Sequence, residues 1–120
     1  MSHAAALSYA AAARITMSPR EIEANALVKA AARLQAAGDG TDADEFDASL
    51  AHNRKLWTII AGSVSDSASL LPDDLKAQIL TLANFIFNTT LGISGGPAPE
   101  KVVALVRINR ELAAGLRGHP

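Results

Sequence analysis

The sequence predicts an all-α protein, a compact bundle of about five helices with no strands. Helix-start signals built from proline and acidic residues recur along the chain, and apolar residues then follow at alternating spacings of three and four. No stretch alternates with period two, so nothing reads as a strand.

The first element is a short helix over residues 3–14. Its run from Ala4 to Ala13 has the small, apolar look of a secretory signal. It lacks a Lys or Arg n-region, however, and its centre is Ala rather than Leu, so it reads as helix. The second spans 19–36. Ser18-Pro19-Arg20-Glu21 has the form of a capping box, with Pro at the first helical position, where its missing N–H costs nothing. Gly38 suits a left-handed C-terminal cap for this helix. The third helix, 43–65, opens on Asp42, Asp44, Glu45 and Asp47, acids that favour the positive end of the helix dipole. Its core stripe is Phe46, Leu50, Asn53, Trp57, Ile60 and Val64.

Pro72-Asp73-Asp74 starts the fourth helix, 72–91, with a stripe of Leu75, Ile79, Leu82, Ile86 and Thr89. Leu80, Phe85, Phe87 and Leu91 flank it, which makes this helix apolar over much of its circumference and predicts a central position. Gly92 to Pro97 is the clearest loop. Pro99-Glu100 opens the last helix, 99–116, with Val102, Leu105, Asn109, Leu112 and Leu116 as its stripe and Val103, Val106 and Ile108 alongside.

Composition bounds what these helices can do. The 120 residues suit one helical domain over 1–120. The hydrophobic fraction is 49%, but 25 of those residues are Ala, so the core must come from the 30 Leu, Ile, Val and Phe. Net charge is −1 and the eleven basic residues are scattered, with no basic face to displace counterions from a nucleic acid, so direct nucleic-acid binding is not expected. Cysteine is absent, which excludes disulfides and thiol chemistry. The apolar runs fall short of a membrane span, and the expectation is a soluble, cytoplasmic protein.

No residues are predicted for catalysis, a cofactor or a metal. His3, His52 and His119 form no ligand pair. The acids from Asp39 to Asp47 fail as a calcium loop, because reading from Asp42 puts Phe46 at a ligand position and Asp47 where the turn needs Gly. The glycines Gly92, Gly95 and Gly96 follow no strand and precede no Lys-Ser or Lys-Thr pair, so they form no phosphate loop. Asn88-Thr89-Thr90 matches a glycosylation acceptor but lies inside an apolar helix, and no serine has a positioned His and acid. The protein is therefore expected to be a binding module rather than an enzyme.

Asn53 and Asn109 each replace an apolar residue in a core stripe, and each is followed by Arg, one other residue and Leu. A buried amide is costly unless hydrogen-bonded. The simpler reading is a register-fixing contact between helices, including one between these two side chains; the other is a groove that reads a partner's backbone. Trp57 has the same two readings, core residue or binding centre.

Four segments stand in order along the chain: Ser18-Pro19-Arg20-Glu21-Ile22-Glu23-Ala24 with Leu27 and Lys29-Ala30-Ala31; Asn53-Arg54-Lys55-Leu56-Trp57; Leu71-Pro72-Asp73-Asp74-Leu75 leading to Leu82-Ala83-Asn84-Phe85-Ile86; and Ile108-Asn109-Arg110-Glu111-Leu112 running to Leu116. Together they resemble the FlaF family of flagellar biosynthesis regulators. Tyr9 stands where the family has an aromatic residue, while Ile22 replaces a more usual Leu. The resemblance implies control of flagellin synthesis and delivery for export, in concert with a companion regulator, FlbT. It carries over no active-site residue. Flagellin or an FlbT-like regulator is then the expected partner, with Tyr9, Asn53, Arg54, Trp57, Phe87, Asn109 and Arg110 as candidate contact residues. Apolar positions beyond one stripe per helix, such as Leu56, Ile59, Leu80, Phe87 and Val106, would supply a groove for an amphipathic client helix. The alternatives are a regulator that binds flagellin mRNA and a plain helical structural subunit, with a homodimer built on the apolar stripes as one form of it.

Overall fold

A computed structural model describes residues 19–93 and 98–118. Among them are four helices and no strand: α1 (Pro19–Asp39), α2 (Ala43–Ser65), α3 (Asp73–Ile93) and α4 (Pro99–Leu116). The predicted helix over 3–14, the Ser18 cap and most of the predicted glycine loop lie outside the described residues.

The start signals act largely as their chemistry demands. Asp42 caps α2 by accepting a hydrogen bond from the Glu45 backbone N–H at 3.1 Å, with Asp44 and Glu45 in the first turn. Pro99 occupies the first turn of α4, and Asp73 and Asp74 begin α3. Gly38 departs from expectation. α1 continues through it to Asp39, and the only glycine with positive φ among the described residues is Gly118. What Gly38 provides instead is closeness, since a Cβ there would sit 3.3 Å from Val102 Cγ1 of α4. The far end of α3 is closed by Lys101, whose Nζ donates to the Gly92 carbonyl at 3.3 Å, a cation at the negative end of a helix.

The helices form a closed ring in which each packs on its neighbours in sequence and α4 returns to α1. The α1–α4 pair is the most extensive and runs antiparallel. Gly38 meets Val102 at one end, and Arg117 donates to the Asn25 side-chain oxygen at the other. Ala24, Ala30 and Ala31 of α1 and Ala113 of α4 are all buried, so the seam is made with small side chains. One core cluster joins all four helices.

The stripes of α2 and α4 are buried as expected, apart from Phe46, which is half-buried. The α3 stripe differs: the buried positions are Ile79, Ala83, Ile86, Thr90 and Ile93, while Leu75, Leu82 and Thr89 are half-buried. Nor is α3 central. It touches α2 and α4 only, and its breadth of apolar residues leaves Leu80, Phe85 and Leu91 exposed. The helix does carry an excess of apolar surface, but with two neighbouring helices it lacks the further contacts that would bury it.

Candidate partner-binding site

The centre of the molecule is a polar knot, built from side chains that the sequence singles out. Asn109 of α4 is fully buried, and its amide serves three partners on two other helices. Its Nδ2 donates to the Asn53 Oδ1 of α2 at 2.7 Å and to the Leu27 carbonyl of α1 at 3.2 Å, while its Oδ1 accepts from Trp57 Nε1 at 2.9 Å. Both Nδ2 hydrogens and one acceptor site are thereby used. Asn53 is equally buried, but its Nδ2 has no partner among the described residues. The two asparagines therefore contact each other and tie three helices in one register. With no exposed surface, Asn53, Trp57 and Asn109 present nothing to a partner while the bundle is closed.

The remaining candidates are dispersed. Arg54 is exposed on α2, Phe87 is half-buried against the core, and Arg110 is exposed on α4, where its Nη2 donates to Gln35 Oε1 at 2.9 Å. Tyr9 lies outside the described residues. The surplus apolar positions separate as well: Ile59 and Leu80 are exposed, Leu56 and Phe87 lean on the core, and Val106 belongs to it.

Two of the concave surfaces lie along α4. One runs along the α1–α4 seam, encloses about 370 Å³, and is floored by Gly38, Val102, Val103 and Val106, with Arg107 and Arg110 at its rim. The other, of about 250 Å³, lies between the start of α3 and the end of α4, where Leu71, Leu75 and Leu82 face Leu112 and Leu116. Of the predicted contact residues only Arg110 lines either. The first groove was missed because Gly38 read as a cap and Val103 as a companion of the stripe. Its signal is an aliphatic residue next to Val102, on the side of α4 where a polar one is expected; Val103 is 63% exposed.

Charge is sparse around these features. Arg33 and Glu45 form a two-pronged ion pair between α1 and α2, Nε to Oε1 at 2.8 Å and Nη2 to Oε2 at 3.3 Å. The hydrogen bond from Arg33 lowers the Glu45 pKa below the ordinary glutamate value. Burial raises that of Glu23, an effect Arg20 only partly offsets. Among the described residues no three His, Asp or Glu side chains converge as a metal site, and no helix is long and apolar enough to cross a membrane.

Residues 5–116 match the family described as Flagellar protein FlaF. The chain belongs to the FlaF family. The match spans all four helices of this FlaF chain, so the asparagine knot and the surfaces around α4 lie within the matched residues. No curated protein and no solved structure showed significant similarity to it.

Proposed function

We propose that this FlaF-family protein works in the cytoplasm by association rather than catalysis, controlling flagellin synthesis and export through protein–protein binding. Its client is an amphipathic helix of flagellin, or the companion regulator FlbT. The observation that carries this reading is the α1–α4 groove in a chain of a flagellar family. An apolar floor of Val102, Val103 and Val106 under a rim of Arg107, Arg110, Asp39 and Glu111 has the layout of a helix-binding interface, apolar within and polar around.

Titration calorimetry of the purified protein with flagellin, and separately with FlbT, tests it. Binding at micromolar concentration is expected with at least one of them. Val103→Asp, placed at an exposed position, should weaken that binding by about tenfold or more, the equivalent of roughly 1.4 kcal/mol, without loss of helix content. Absence of heat with both partners at high micromolar concentration would sink the proposal. Val103→Asp binding as tightly as the parent would move the site off this groove.

A further inference from the structure

The outer side of α4 carries a charge pattern that the single chain does not use. Glu100, Val103 and Arg107 are all exposed and follow one another at spacings of three and four, so they stand in one row along the helix. Val103 is 63% exposed, an aliphatic side chain held in water between an acid and a base. Neither Glu100 nor Arg107 forms an ion pair among the described residues, whereas Arg33 and Glu45 close on each other between α1 and α2.

The row is complementary to itself. Glu100 and Arg107 lie about two helical turns apart, roughly 10.5 Å at 1.5 Å per residue, and Val103 falls midway between them. A two-fold axis at Val103 therefore sets two copies of α4 antiparallel. Glu100 of each copy then faces Arg107 of the other, and the two valines meet at the axis. A parallel pair would set Glu100 on Glu100 and Arg107 on Arg107, and moving the axis one turn toward the C-terminus would set Arg107 on Arg107; like-charge repulsion disfavours both. Between the two charges the outward residues are Val103 and the half-buried Ala104, both small enough for a second helix to come close. Lys101 does not intrude, because its ammonium is engaged at the Gly92 carbonyl.

We propose that two copies of this chain associate through antiparallel α4 helices, with Val103 on Val103 at the two-fold axis and Glu100 on Arg107 to either side. The contact is small, and exposed ion pairs contribute little singly, so the dimer dissociates at on the order of 100 µM. It covers Val103 and Arg107, two residues that line the α1–α4 groove, and so closes that groove to other proteins until one binds more tightly. This second consequence rests on the client reading above; the dimer itself does not.

Sedimentation velocity of the full chain from about 10 µM to about 1 mM is expected to show a monomer passing into a dimer, with less dimer as salt is raised. Glu100→Arg alone and Arg107→Glu alone each make both cross-pairs repulsive and should weaken association about tenfold. The two substitutions together reverse both partners and should restore it, which separates the contact from any loss of folding. The proposal is overturned by a monomer over the whole range, by association that neither single swap weakens, or by a double swap that fails to rescue. Client binding is read apart, by calorimetry at about 10 µM chain, where the monomer predominates. Heat with flagellin or FlbT but no dimer at high concentration sinks this inference alone; a dimer with no heat from either leaves it standing and sinks the client reading.

Discussion

Along the α1–α4 seam, Ala24, Ala30, Ala31, Ala113 and Gly38 let two helices come close enough for the Leu27 carbonyl to reach the Asn109 amide. Along α3 the apolar residues are larger, and the helix meets only α2 and α4, so that Leu80, Phe85 and Leu91 remain in solvent. The two regions are both rich in apolar residues, yet one is closed and the other open. What separates them is side-chain size at the contact and the presence of a polar knot, which rewards one register because the hydrogen bonds of the Asn109 amide are made only there. An apolar face without such a knot packs where it can and leaves the rest exposed.

The largest effect should come from untying the knot. Asn109→Leu keeps the number of side-chain heavy atoms and the branching but strips Trp57 Nε1 and the Asn53 Oδ1 of their partners inside the bundle. Leaving buried polar groups unmatched costs about 1–3 kcal/mol each, so a loss of roughly 3 kcal/mol is expected in urea unfolding. Asn53→Leu should cost less, because it also removes an Nδ2 that is already unpartnered. A reversed order of the two variants would break the account of Asn109 as the organising residue.

The knot is also where the sequence was most legible. Two polar residues standing in apolar stripes of period 3.6 have to be buried, and burial obliges them to find partners; that left a contact between helices or a groove for a partner, and the hydrogen bond between Asn53 and Asn109 decides for the first. Helix starts were legible for a similar local reason, as at Asp42, whose side chain caps the amide three residues on. Gly38 and α3 were not. A glycine near a helix end suits a cap or a close crossing equally well, and only the approach of Val102 from another helix decides between them. Breadth of apolar surface on α3 likewise marks either a central helix or an edge helix with surface to spare, and the number of neighbours is a property of the whole ring. The α1–α4 groove was hidden because it depends on Gly38 and Val103 together, 65 positions apart in the sequence.

A middle-sized effect tests the open region. Phe85 is 48% exposed, so Phe85→Gln removes apolar area that is already half in water and keeps a good helix former. A loss of about 1 kcal/mol or less is expected by urea unfolding, well below that of Asn109→Leu. A cost matching the knot variant would mean that α3 is held as firmly as the seam, and the contrast between the two regions would fail.

The smallest effect sharpens the comparison at the α1 end of the seam, through Glu23. Burial raises its pKa above the ordinary glutamate value, so the folded chain binds the proton more tightly than the unfolded one. A raised carboxyl pKa means stability that is present at acid pH, below the unfolded value, and lost as pH rises through the folded value. At neutral pH the ionised Glu23 is thus a mild burden on the fold. Glu23→Gln is expected to raise the melting temperature slightly at pH 7, with the advantage shrinking to nothing once the solution is acid enough to protonate Glu23 in both states. Glu45 should run the opposite way, because Arg33 holds its pKa down and the stability it adds fades as pH falls through that lowered value. Melting curves for the two glutamine variants across pH 3 to 7 separate the cases. A Glu23→Gln variant less stable than the parent at neutral pH would show that the carboxylate makes a contact in the fold that outweighs its desolvation.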